Sequence, residues 1–183
     1  MRSLLILLLA LAGLPAVAEE PHLLDVGVAI FDPGIPEDES LHDELEVFPR
    51  IREAESKYLP VTLRRELVDS GQWGVVRVVP ELGSLSEIMV EGRIIASTGR
   101  QQRVHVRVSD ATGRQWLDQE YMLVAGEQAA GSAEPYAGLY RQVALDMLNY
   151  RRALDERSLR EIRGVSLMRY AQSLSPEAFA GYL

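Results

Sequence analysis

Arg103, His105 and Arg107 alternate with Val104, Val106 and Val108 inside the stretch from Gln101 to Trp116. On an extended strand that spacing sends three nitrogen-bearing side chains to one face and three valines to the other. Together with Arg93 from the preceding segment, the row could hold an anion, because guanidinium forks match carboxylate and phosphate oxygens. The same alternation is also what any strand with one wet face shows. Glu91 and Arg93 on the neighbouring strand could supply cross-strand partners. The wet-face reading is preferred, and a surface for a small anionic ligand, built from Arg93, Arg103, His105 and Arg107, is the alternative.

Other chemistries find less support. The three histidines are His22, His42 and His105, and none stands in an H-x-x-x-H spacing. The chain has no cysteine, so the usual structural zinc sets are excluded. The acidic run around Glu37 to Glu44 lacks the spaced acids, central glycine and closing glutamate of a calcium loop. It suits the positive end of a helix dipole instead. There is no G-x-S-x-G elbow, no phosphate-binding G-x-x-x-x-G-K-[ST] loop and no G-x-G-x-x-G turn. Glu53 and Glu55 form one of many carboxylate pairs expected in an acidic chain, and Glu53 with Lys57 is an ordinary i,i+4 pair. Trp73 and Trp116 read as core or sheet-edge aromatics. No catalytic residue, metal or other cofactor is expected, and the chain is not expected to be an enzyme.

The elements that must carry the row of cations belong to a chain of 183 residues with 47% apolar and 25% charged residues. That is enough for one domain with a full core. A net charge of −8 argues against nucleic acid and anionic membrane surfaces as partners. At the start, Arg2 precedes an apolar run from Leu4 to Leu14, then Pro15 and the small-x-small set Ala16-Val17-Ala18. This is the pattern of a secretory signal, with cleavage expected between Ala18 and Glu19. An uncleaved anchor is the competing reading, but the run is short for a bilayer span. Without cysteine there is neither a disulfide scaffold nor a lipid-bearing N-terminus. A bacterial periplasmic location with no stable membrane anchor follows as the expectation.

Along the mature chain, the segment from Leu24 to Phe31 is apolar on both faces and reads as a buried central strand, ended by Asp32-Pro33-Gly34. Ser40 and Asp43 could cap a helix start. Pro49 and Pro60 then suggest shorter pieces or a kinked helix up to Ser70-Gly71, with Leu59, Leu63, Leu67 and Val68 forming its apolar stripe. Trp73 to Val79 reads as a short strand. Ile88, Val90, Gly92 and Ile94 share one face of the next strand. The quoted row and the strand after Asp110-Ala111-Thr112-Gly113 complete an antiparallel meander. From Pro135 the spacing turns helical, with Leu139, Val143, Met147, Tyr150 and Leu154 as a stripe to cover the dry sheet face. Gly164 could break that helix, and Ser175-Pro176-Glu177 reads as a fresh helix start. The last piece is expected either to dock back onto the domain or to mark the chain as the front piece of a longer ancestral protein.

The order of these parts, carried by "VGVAIFDPG", "SGQWGVVRVV" and "VEGRI", resembles the N-terminal domain of TolB, the curli secretion protein CsgG and the auxiliary lipoproteins of ABC transporters. The resemblance spans about Leu24 to Val124. The chain departs from those lipoproteins in having no cysteine, and in an acidic insert from Ile35 to Glu46. The resemblance implies a non-catalytic assembly or accessory role.

Taken together, the expected fold is α+β: a mainly antiparallel twisted sheet of about four to five strands with helices on one face, a two-layer sandwich. Residues 1–18 are expected to be a signal peptide, 19–164 one α+β domain, and 165–183 a C-terminal helical extension. The expected function is a non-enzymatic periplasmic accessory or protein-interaction domain of the cell envelope with an envelope protein as partner. The rival is a binder of a small anionic ligand on the basic sheet face.

Overall fold

The computed structural model describes residues 23–80, 86–126 and 135–179. The expected processing site at Ala18 and Glu19 lies outside them. The elements follow in the order β1 (Val26–Ala29), α1 (Leu41–Glu44), α2 (Pro49–Asp69), β2 (Val76–Val79), β3 (Ile88–Ser97), β4 (Gln101–Asp110), β5 (Gln115–Val124), α3 (Ala137–Ala153), α4 (Glu156–Leu174) and α5 (Pro176–Phe179). The fold is α+β. The five strands form one sheet in the order β2-β1-β3-β4-β5. The three long strands β3, β4 and β5 pair antiparallel. The short β1 lies parallel to both β2 and β3.

Alternation decides which way the sheet faces. Val104, Val106 and Val108 are fully buried, as are Ile88, Val90 and Ile94 on β3. They meet Leu59, Leu63 and Leu67 of α2 and Leu139, Tyr140, Val143 and Met147 of α3 in one core. All four residues of β1 are buried, which fits a strand with a neighbour on each side. Removing one of these aliphatic side chains, as in Leu63→Ala, costs about 2–5 kcal/mol through lost burial and the cavity left behind.

Of the two alternatives, shorter pieces or a kinked helix, the structure excludes the shorter pieces. Pro49 occupies the first turn of α2, where its missing N–H has no helical partner to lose. Pro60 lies inside the helix and offers no N–H to the carbonyl of Ser56, four residues back. That carbonyl instead accepts the Phe31 N–H at 3.0 Å. A tertiary bond thus uses the acceptor that the proline leaves open, and α2 runs as one helix of 21 residues. The Phe31 ring fits because residue 92 is glycine. A Cβ on Gly92 would sit 2.5 Å from the ring.

Three further expectations are corrected. Ser40 precedes α1 but makes no side-chain cap. Its N–H and hydroxyl go to the Asp38 carboxylate, at 2.9 and 2.6 Å. The strand expected from Trp73 begins only at Val76, because Gly74 N–H bonds to the Leu24 carbonyl and Val75 N–H to Asp25 Oδ1. The helix beginning near Pro135 ends at Ala153, not at Gly164. Asp155 starts α4 by accepting from Ser158 N–H at 2.8 Å, and Gly164 lies inside that helix. Leu154, at φ −79° and ψ 140°, leaves the helical conformation and separates α3 from α4.

The first half of α4 is tied to the domain by buried Ile162 and by Arg163, 3.5 Å from the Glu87 carboxylate. Glu87 also accepts the Asp25 N–H at 2.8 Å, so it fastens α4 to the start of β1. No helix among the described residues is long and apolar enough to cross a membrane.

Candidate functional site

The row of cations lies on the sheet face that the helices leave uncovered, and acids interleave with it. Arg93 is 3.5 Å from Asp32, and Arg103 is 3.7 Å from Glu120. His105 Nε2 lies 2.8 Å from Asp118 Oδ1. Arg107 reaches Asp118 at 3.5 Å and Glu91 at 3.9 Å. Glu91 therefore serves as a cross-strand partner, as its position on β3 suggested. Asp118 and Glu120 are supplied by β5, directly opposite Arg107 and His105 in register. Four carboxylates face the four basic side chains, so the face offers an anion little net charge. Such solvent-facing pairs contribute about 0–1 kcal/mol each.

The concave surface is elsewhere. A cleft of about 610 Å³ opens between the first half of α2, the β3–β4 turn and the start of α3. Phe48, Ile51, Glu55, Tyr58 and Leu59 line one wall. Phe48, the N-cap of α2, and Ile51, Glu55 and Tyr58 within it are spaced by three, four and three residues, the interval of neighbours on one helix face. Ser97, Thr98, Gly99 and Arg100 form the opposite wall, and Pro135 and Tyr136 close one side. Phe48, Ile51 and Tyr58 remain 62%, 55% and 48% exposed. Large apolar side chains gathered on a concave surface mark a place for a ligand or partner.

Under this apolar wall runs a chain of polar contacts. Tyr140 OH donates to Gln102 Oε1 at 2.7 Å, and Gln102 Nε2 lies 3.4 Å from Ser97 Oγ. Ser97 Oγ donates to Glu55 Oε1 at 2.6 Å. Glu55 Oε2 is 3.8 Å from Nε of Arg52, whose side chain is buried. Arg52 Nη1 reaches the Ile94 carbonyl at 3.5 Å, while its Nη2 has no hydrogen-bond acceptor among the described residues. Burial lowers the pKa of the Arg52 guanidinium, and the charge of Glu55 partly offsets this.

Tyr136 pins the start of α3 to the turn by donating to the Thr98 carbonyl at 2.8 Å. Its phenol is pushed up, first by burial and then by the charge of Glu55, so it stays a neutral donor. At the lip, Arg100 bonds Glu46 at 2.9 Å, and its carbonyl accepts the Ala125 N–H at 2.7 Å.

A second, polar hollow of about 570 Å³ adjoins the cleft and shares Glu46, Thr98 and Arg100 with it. Asp43, Glu44 and Arg103 also line it. Of the basic residues singled out from the sequence, Arg103 lines this hollow. Arg93, His105 and Arg107 line neither. Among the described residues, no group of three His, Asp or Glu is placed to hold a metal ion.

Trp73 and Trp116 are buried, the core alternative of the core-or-sheet-edge reading. Trp116 stacks on Tyr150 with centroids 5.0 Å apart, Trp73 lies 6.4 Å from Trp116, and Arg151 sits over the Trp73 ring. Trp116 Nε1–H donates to Asp110 at 2.9 Å. These aromatics weld α3 to β5 at the far end of the sheet from the cleft.

No protein-family model and no curated protein matches the chain. Among solved structures, it is similar to PelC of Paraburkholderia phytofirmans, solved as a dodecamer, at 13% identity and a TM-score of 0.45. That match covers 69% of this chain and 91% of PelC. It is also similar to the hypothetical protein CT253 of Chlamydia trachomatis, at 9% identity and a TM-score of 0.34, covering 68% of this chain and 93% of that one. Both TM-scores are below 0.5.

Proposed function

We propose that the chain is an exported, non-enzymatic accessory domain of the bacterial cell envelope that docks a segment of a partner protein in the cleft beside α2. The observation that carries this reading is the exposed stripe of Phe48, Ile51 and Tyr58 facing the β3–β4 turn across a concave, largely apolar surface. Burying those three side chains under a partner would contribute about 1.5–3 kcal/mol each, less what is already buried and the cost of ordering the partner. The polar groups beneath the wall bond mainly to one another, which suits a rigid receptor. Periplasmic location is carried by the charged start, apolar run and Ala16-Val17-Ala18 of the sequence. The rival reading, an anion held on the basic sheet face, is weakened by the carboxylates that interleave with that face.

Site-specific photo-crosslinking in the cell of origin tests the reading. A benzophenone side chain replaces Phe48 or Ile51 in the cleft, or Met122 on the open sheet face. The reading expects one discrete crosslinked protein from the two cleft positions and none from Met122. Crosslinks from Met122 alone would overturn it.

A further inference from the structure

We infer that the cleft takes a basic amphipathic segment: an aromatic or aliphatic anchor with Lys or Arg residues beside it. This rests on the docking reading above and adds the chemistry of the partner. The first argument is charge. Asp43, Glu44, Glu46 and Glu55 line the two cavities against Arg100 and Arg103, and the surrounding residues 35–58 hold eight carboxylates against Arg50, Arg52 and Lys57, a net of −5 out of −8 for the whole chain. Glu37, Asp38, Glu39, Asp43 and Glu44 are all exposed. Asp43 and Glu44 form no ion pair among the described residues. Asp38 is held ionised by the Ser40 hydroxyl and N–H, which lower its pKa.

The second argument is placement. The apolar cleft and the polar hollow are adjacent and share Glu46, Thr98 and Arg100. A continuous segment can set an apolar side chain against Ile51 and Tyr58 while its next basic residue lies beside Asp43 and Glu44. Arg100 at the shared lip is 81% exposed in its side chain and bonds Glu46. An incoming Lys or Arg would compete for that carboxylate. Leu45, also exposed, lines the hollow and adds apolar surface between the acids. Alternating apolar and acidic groups complement a peptide that alternates apolar and basic ones. An anionic lipid surface would be repelled by the same charge.

The test uses the mature chain and three fluorescent twelve-residue peptides that share one Leu/Phe core and differ in flanks of Lys, Ser or Glu. Affinities are read by anisotropy at low and high salt. The Lys-flanked peptide should bind about tenfold tighter than the Ser-flanked one at low salt, and most of that advantage should vanish at high salt because exposed charges are screened. Asp43→Asn with Glu44→Gln should bring the Lys peptide down to the Ser peptide. Glu156→Gln with Glu177→Gln, equal in charge but on α4 and α5, should change nothing. Ile51→Ser, at an exposed position, should weaken both peptides about tenfold while leaving the melting temperature unchanged.

If no peptide binds, docking itself fails and the inference falls with it. If Ser- or Glu-flanked peptides bind as tightly as Lys-flanked ones, docking stands and the basic partner is wrong. Lys-peptide binding that ignores Ile51→Ser or responds to the α4 and α5 substitutions is adsorption to an acidic protein, and overturns the inference.

Discussion

Replacing Gly92 by Ala should destabilise the domain, although in a strand the change would ordinarily help. Alanine loses less chain entropy than glycine on folding, a gain of about 0.5–1 kcal/mol at an unobstructed site. At position 92 the new methyl would lie 2.5–2.6 Å from three atoms of the Phe31 ring. The ring cannot easily retreat. Phe31 N–H is bonded to Ser56, Asp32 N–H to the Gly92 carbonyl at 2.8 Å, and Ile94 N–H to the Asp32 carbonyl at 2.9 Å. Overpacking in a held core costs about 1–3 kcal/mol. The balance is a net loss of about 1 kcal/mol, which corresponds to about 2–4 °C in melting temperature for a domain of this size. Urea denaturation of Gly92→Ala, Phe31→Leu and the double variant measures the coupling directly. The shorter side chain should recover about 1 kcal/mol or more in the alanine background. A stabilised Gly92→Ala, or strict additivity in the double variant, would refute the reasoning. Because Phe31 also holds Ser56, the Gly92→Ala variant should loosen the middle of α2, visible as faster amide exchange around Glu55 to Leu59.

Further outcomes follow from the same contacts. Glu55→Gln leaves the buried Arg52 guanidinium without a counter-charge and should cost about 1–3 kcal/mol in urea denaturation, with Arg52→Met added to it restoring most of the loss. Asp155 has its pKa lowered by the Ser158 N–H, so its contribution is complete above about 3.8 and is lost as pH falls through its lower folded value. Protection of the amides at the start of α4, measured against their intrinsic exchange rates, should therefore fall in acid below that point, and Asp155→Asn should remove this sensitivity. Arg107→Gln, on the sheet face away from both cavities, should change stability by less than about 1 kcal/mol per lost pair and leave binding of the Lys-flanked peptide within about twofold.

Much of the scaffold was legible because period-two and helical spacing report burial directly. The valines of β4 and the stripe of Leu139, Val143 and Met147 face the core as their spacing demands. What was not legible depended on partners distant in sequence. Pro60 looks like a break until Phe31, from just past the end of β1, is seen to bond the Ser56 carbonyl. The end of α3 was misplaced because Gly164 is the more obvious breaker, whereas Asp155 with Ser158 makes the actual cap. The cleft was missed for a related reason. The apolar stripe considered on this segment was the one from Leu59 that faces the sheet. Phe48, Ile51 and Tyr58 form a second stripe diluted by charges, and only the approach of Thr98 to Arg100 and of Tyr136 turns it into a concave site. The spacing of Phe48, Ile51, Glu55 and Tyr58 was the available signal.

The central claim is that binding happens in the cleft beside α2 and not on the charged sheet face. Titrating isotope-labelled mature protein with the Lys-flanked peptide and following every backbone amide by NMR tests it most directly. The account predicts shifts concentrated at Asp43 to Glu46, at Phe48 to Tyr58 excluding Pro49, which has no amide proton, and at Thr98 to Arg100. Shifts centred on His105, Arg107, Asp118 and Met122, with the cleft amides unmoved, would contradict it.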